Sequence, residues 1–130
     1  MQDLPIPKVT WTLHKDRNFS VQVVSWHSGI GYHWNVYANI FDSHPLFKNA
    51  EGVNSLPMHG GVTYDQLMTN GHVEKKYDWQ KESQYRVIGS DYAHLYDSYE
   101  ECAPEDGIPT RILSDARELI AEMLEFTPVD

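Results

Sequence analysis

The 130-residue sequence is poor in cysteine and in basic residues. Cys102 is the only cysteine, which excludes an internal disulfide and any zinc site built from several thiolates. A single cysteine also suggests a reducing compartment. Lysine and arginine number 10 against 19 aspartates and glutamates, giving a formal net charge of −9. A surface with so few cations argues against broad binding to a nucleic-acid backbone.

Long apolar runs are missing as well. No stretch approaches the roughly 18 apolar residues of a membrane-spanning helix, and the N-terminus lacks the basic and apolar regions of a signal peptide. We therefore expect a cytoplasmic protein with no membrane association. Between Asp97 and Asp130 ten acidic residues accompany only two arginines. This acidic segment favours solubility or a basic partner, and a solvated helix face is its simplest explanation.

Several catalytic signatures are also missing. The chain has no P-loop, no Gly-x-Ser-x-Gly and no His-Glu-x-x-His. Gly29-Ile30-Gly31 lacks the third glycine of a dinucleotide-binding fingerprint. Any chemistry must therefore come from a less common arrangement of residues.

The chain does contain the composition of a folded domain. Hydrophobic residues make up 41% and aromatic residues 12% of the sequence, which predicts one globular domain over residues 1–130. Two prolines in residues 1–8 indicate an extended arm. Alternating patterns predict strands at 9–14, 20–27 and 33–41, with a turn at 15–18 between the first two. Short strands are also expected at 58–64 and 85–90, and a long loop at 42–57.

The clearest predicted element is a C-terminal helix at 110–126. Its apolar residues recur at helical spacing and form one stripe, with Thr110 as the expected N-cap: Ile112, Leu113, Ala116, Leu119, Ile120, Met123 and Leu124. A sheet needs such a cover to bury its apolar side. The sequence therefore predicts an α+β fold, with a mostly antiparallel sheet and one C-terminal amphipathic helix packed on one face.

The first candidate site segment reads His59-Gly60-Gly61-Val62-Thr63-Tyr64. Consecutive glycines let a ligand approach the backbone, and the N–H groups of Gly60 and Gly61 could hold an anion or an oxyanion. His59 is a candidate acid–base group or metal ligand, and Tyr64 could contact the ligand. A β-bulge or a bend in a strand would explain the same glycines.

The second segment reads Asp91-Tyr92-Ala93-His94-Leu95-Tyr96-Asp97. If the chain turns helically after Ser90, spacings of three put both carboxylates and the imidazole near one face. We predict His59, His94 and Asp91 as catalytic residues, and Tyr92 as a further ligand contact. The alternative is that Asp91 only caps a helix and Asp97 only faces solvent. His44 or His33 could complete the site.

The same residues could bind a metal. His59, Asp91, His94 and Asp97 would supply two imidazoles and two carboxylates to one divalent ion. This ligand set suits Zn, Mn or Fe better than Mg or Ca.

These motifs, in this order, resemble a family of small, poorly characterised bacteriophage proteins. The matching segments are Ser43-His44-Pro45-Leu46, His59-Gly60-Gly61-Val62-Thr63-Tyr64 and Gly89-Ser90-Asp91-Tyr92-Ala93-His94-Leu95-Tyr96-Asp97. The resemblance covers about residues 20–125. It departs from the family pattern at Ser90, where the family has Phe, and at Tyr92, where the family often has Cys. The resemblance implies a phage protein of the host cytoplasm and implies no reaction.

Three functions fit these observations. The first is a metal-assisted hydrolase acting on a phosphoester or a nucleotide. The alternative is a non-catalytic phage protein that sequesters a host nucleotide signal, or that binds and inhibits a host defence protein. The third is a structural protein whose motifs only shape the fold. The expected partner is thus a small-molecule or nucleotide ligand, or a host protein.

Overall fold

A computed structural model of the protein describes residues 8–29, 31–59, 61–69, 84–92 and 102–126. One antiparallel sheet runs in the order β1-β2-β3-β5-β4, and its strands are β1 (Val9–Lys15), β2 (Phe19–His27), β3 (Tyr32–Phe41), β4 (Tyr64–Thr69) and β5 (Gln84–Asp91). The helices are α1 (Ala50–Asn54) and α2 (Thr110–Glu125), with short 3-10 turns at Pro45–Lys48 and Pro104–Asp106. The predicted α+β class, with an antiparallel sheet and a main C-terminal helix, is confirmed.

The sheet has two distinct faces because successive side chains of a strand point to opposite sides. The core face carries the buried residues of β3, which are Trp34, Val36, Ala38 and Ile40, as the alternation predicts. The open face carries their half-buried neighbours, such as Asn35, Tyr37 and Asn39. Helix α2 contributes Ile112, Ala116, Leu119 and Met123 to the same buried cluster as the core face. Each large apolar side chain buried there stabilises the fold by about 1.5–3 kcal/mol.

Strand β5 lies between β3 and β4, and its register decides which of its residues face the core. Val36 pairs with Ser90, and Tyr37 pairs with Gly89. A Cβ atom at Gly89 would lie 2.5 Å from Tyr37 Cδ1. The tyrosine ring therefore lies directly over the glycine, and a side chain at this position would displace it.

The strand predicted at 58–64 is wrong. The described residues 58–59 and 61–63 are not in a strand. His59 lies in a turn, the Gly61 N–H donates to the Met58 carbonyl at 2.9 Å, and β4 begins at Tyr64. Gly61 has a φ of 85°, a conformation that is open to glycine and that interrupts a strand.

The predicted loop at 42–57 contains regular structure. His44 caps the 3-10 turn by accepting the Leu46 N–H, and Asn49 caps α1 by accepting the Gly52 N–H. At the other helix, Thr110 is the first helical residue and Pro109 occupies the N-cap position, so Thr110 as the cap is wrong. Residues 1–7 of the predicted arm lie outside the described residues. Within the described ranges, no helix has the length and apolar character needed to cross a membrane.

Candidate functional site

His59 and Tyr92 lie in direct contact on the core side of the sheet. Their rings stack in parallel, with centroids 4.3 Å apart and planes 7° apart. Tyr92 is buried, its N–H donates to the Trp34 carbonyl, and its hydroxyl donates to Asp115 Oδ2 at 2.7 Å. The structure thus brings two predicted site residues together and adds a carboxylate from α2.

Each side chain reaches this place for a local reason. His59 lies in the turn before β4, Tyr92 follows the last residue of β5, and Asp115 lies in the second turn of α2. The stacked rings therefore join the turn, the sheet and the helix. Because both rings contact fixed elements, the His59 imidazole has little freedom to rotate.

A cleft of about 300 Å³ opens beside the His59 ring. We call it the His59 cleft, and its lining residues are Pro57, Met58, His59, Arg111, Asp115 and Glu118. Arg111, Asp115 and Glu118 share one face of α2 because they are four and three residues apart. The cleft therefore combines an imidazole, a guanidinium and two carboxylates.

Ser90 lies under this group. It is 1% exposed, and its Oγ has no hydrogen-bond partner among the described residues. Together with Val36 and Leu119 it lines a narrow void that the His59 and Tyr92 rings close. A buried hydroxyl without a partner costs about 1–3 kcal/mol of stability.

Asp91 and Tyr64 lie on the other side of the sheet. Asp91 pairs with Asn35 at the end of β5, one residue after the core-facing Ser90, so that alternation places it on the open face. Tyr64 begins β4 and approaches Tyr37 edge to face at 6.1 Å. Burial, with a smaller effect of Tyr64 and Asp91, raises the pKa of Tyr37. The structure does not bring Asp91 and Tyr64 to His59.

Most of the other predicted site residues lie outside the described part of the chain or face away from a ligand. Gly60, His94 and Asp97 lie outside the described residues. The Gly61 N–H donates within its own turn, to Met58, so it is not directed at a ligand. Among residues 8–29, 31–59, 61–69, 84–92 and 102–126, no three His, Cys, Asp or Glu side chains lie together as a metal site requires. Because two of the four predicted ligands are not described, the metal stays a prediction.

His44 and His33 do not join the His59 cleft. His44 is buried, its Nδ1 accepts the Leu46 N–H, and its Nε2 donates to the Met123 carbonyl, both at 3.0 Å. Burial lowers the pKa of His44, although the Met123 carbonyl and, more weakly, Asp16 oppose this. His33 stacks on Trp26 with centroids 5.2 Å apart. His44 therefore serves the fold, and His33 lies with the open face.

The sequence reasoning missed Arg111, Asp115 and Glu118. A signal was present, since the three form a polar stripe beside the apolar stripe of the helix at the same periodicity. Nothing in that stripe indicated which loop it would meet. Comparison with protein-family models, curated proteins and solved structures finds no match. The resemblance to a phage family therefore stays a prediction.

Proposed function

We propose that the protein is a small hydrolase whose His59 cleft cleaves a phosphodiester. His59 is the acid–base catalyst and Arg111 holds the phosphate. The observation that carries this proposal is that an imidazole oriented by a parallel stack and a guanidinium line the same open cleft. The single cysteine supports a reducing, cytoplasmic setting for this activity.

The reaction uses water as the nucleophile. The neutral His59 imidazole takes a proton from the water, whose oxygen forms the new bond to phosphorus. The bond from phosphorus to the leaving alcohol breaks, and the imidazolium donates that proton to the alcohol oxygen. Arg111 can donate two parallel hydrogen bonds to the phosphate oxygens. Tyr92, held by Asp115, is a positioning residue that fixes the imidazole plane.

The charges of the cleft favour a diester over a monoester. Asp115 and Glu118 line the cleft beside Arg111, and two carboxylates oppose a second negative charge on the substrate. A phosphate monoester carries a charge of about −1.5 to −2 at neutral pH, whereas a diester carries a single charge. The hydrogen bond that Tyr92 donates to Asp115 reduces part of the repulsion between the Asp115 carboxylate and the substrate.

One observation favours binding without turnover as a second candidate. The described lining of the cleft holds a single histidine, and in this mechanism His59 acts first as base and then as acid. A protein that only sequesters a phosphate-containing ligand does not need this exchange. The two candidates share Arg111 as the phosphate ligand and differ in the role of His59.

The test measures hydrolysis of bis(p-nitrophenyl) phosphate, with p-nitrophenyl phosphate as the monoester comparison. His59→Gln should lower kcat by about 10²–10⁴-fold, the usual contribution of a general acid–base group. His33→Gln, on the open face, should keep the wild-type rate. Arg111→Ala should raise KM for the diester, whereas Arg117→Ala, an exposed arginine of the same helix, should not.

The outcomes separate the two candidates. A wild-type turnover rate in the His59→Gln variant would refute the hydrolase proposal. Diester binding that depends on Arg111, with the diester recovered intact from the wild-type protein, would support sequestration instead. Diester affinity that is equal in the Arg111→Ala and Arg117→Ala variants would overturn both candidates.

A further inference from the structure

The open face of the sheet carries a groove that is separate from the His59 cleft. Two adjoining hollows of about 530 Å³ and 320 Å³ lie on it. Both are lined by Gln22 and Asn39, which lie near the middle of β2 and β3. We call the two hollows together the open-face groove. Their combined extent is sufficient for a ligand of several rings.

A row of uncharged polar side chains forms the floor of the groove across three strands. Asn39 Nδ2 donates to Ser20 Oγ at 2.9 Å and more weakly to Gln22 Oε1 at 3.4 Å. Gln22 Nε2 donates in turn to Thr12 Oγ1 at 3.2 Å. These bonds hold the amide and hydroxyl groups in place, so a ligand meets them already oriented. Amides and hydroxyls both donate and accept hydrogen bonds, as the hydroxyl groups of a sugar do.

An aromatic wall stands at one end of this row. The Tyr37 ring lies over Gly89, where an added Cβ would be 2.5 Å from the ring. Tyr64, which is 42% exposed, meets Tyr37 edge to face at 6.1 Å. A tyrosine ring offers a rigid apolar surface at low entropic cost, and its hydroxyl remains a polar contact. Sugars have the complementary character, with apolar C–H faces and polar edges.

The charges of the groove argue against a highly charged ligand. Its charged lining residues are Lys8 in one hollow and Lys15 and Asp42 in the other, whereas Gln22 and Asn39, which both hollows share, are neutral. Lys8 also lies 5.7 Å from the centre of the Trp26 ring, which engages its ammonium group. From the neutral floor and the tyrosine wall, we infer that the open-face groove is a binding site for a saccharide.

The test uses ¹⁵N-labelled full-length protein titrated with maltotriose, cellotriose and chitotriose, and with adenosine as a nucleobase comparison. We expect at least one trisaccharide to shift the side-chain amide signals of Gln22 and Asn39. Tyr64→Ala should weaken its binding by about three- to tenfold, the range expected for one aromatic contact. Leu67→Ala is the matched control, because Leu67 lies on the same strand, is exposed and pairs opposite the core-facing Arg86.

Binding that Tyr64→Ala weakens and Leu67→Ala preserves supports the saccharide site. Asn39→Ala tests the polar floor of the groove and should weaken binding of the same trisaccharide. The inference is overturned if none of the three trisaccharides shifts the Gln22 and Asn39 signals, or if both strand variants bind equally well. It is also overturned if adenosine alone binds, since the ligand class would then be a nucleobase. The His59→Gln variant should bind the trisaccharide as the wild type does, so the outcome is independent of the proposed hydrolase.

Discussion

Replacing His44 by phenylalanine should destabilise the protein strongly, although His44 is not part of a site. The side chain is 2% exposed. It joins the 3-10 turn after β3 to the end of α2, through the Leu46 N–H and the Met123 carbonyl. Its ring also meets Phe19 edge to face at 5.4 Å. Phenylalanine keeps most of the volume and the aromatic contact, so His44→Phe removes chiefly the two hydrogen bonds.

The magnitude follows from the two groups that lose their partners. A buried donor or acceptor left unsatisfied costs about 1–3 kcal/mol. Two such groups give about 2–6 kcal/mol. The lower half of this range applies because the Met123 carbonyl also accepts the Phe126 N–H at 3.3 Å and so keeps one partner. We expect a loss of about 3 kcal/mol. For a domain of this size that corresponds to a decrease in Tm of roughly 10 °C.

Urea unfolding followed by tryptophan fluorescence measures this loss directly. The midpoint should fall while the m-value is unchanged, because the surface exposed on unfolding stays the same. His33→Phe is the control, since His33 is only partly buried and stacks on Trp26; it should change the free energy of unfolding by less than about 0.5 kcal/mol. A His44→Phe variant as stable as the His33→Phe variant would refute the bridging role of His44.

Three further outcomes follow from the same contacts. Because the pKa of His44 is lowered in the folded protein, the unfolded chain binds a proton first as the pH falls below about 6.5. Its contribution to stability should therefore decline in that window by up to about 1.4 kcal/mol per pH unit. Urea titrations at several pH values should show this slope in the wild type and not in the His44→Phe variant. Gly89→Ala should lower the free energy of unfolding by about 1–3 kcal/mol, because the new methyl group meets the Tyr37 ring. Near-UV circular dichroism should show the displaced tyrosine. An unchanged spectrum and an unchanged urea midpoint would contradict this packing. Tyr92→Phe should lower the free energy of unfolding, measured in urea, by about 1.5–3 kcal/mol, since it removes a hydrogen bond to a carboxylate. Adding Asp115→Ala to the Tyr92→Phe variant should lower it little further, because the shared hydrogen bond is already lost.

Part of the candidate site could be predicted from the sequence. The His59 and Tyr92 segments were identified because glycines and polar residues stood out between apolar runs. Their pairing with Asp115 could not be predicted, because Asp115 lies 23 residues after Tyr92 and nothing local indicates the contact. The grouping of Asp91 with His59 rested on their chemical types alone, since the two residues are 32 positions apart in the chain. Successive side chains of a strand point to opposite faces of the sheet, so Asp91 lies on the open face while Tyr92 reaches the core side.

Local pattern was sufficient for the faces of β3 and for four residues of the α2 stripe, Ile112, Ala116, Leu119 and Met123, whereas Leu124 is 43% exposed. In both, the periodicity of apolar residues matches the geometry of the element, and burial follows from solvent exclusion alone. The order of β5 and β4, and the cleft between His59 and α2, came only from the tertiary structure. These features depend on contacts between residues far apart in the chain. Such contacts are selected by the packing of the whole fold, and no local propensity encodes them.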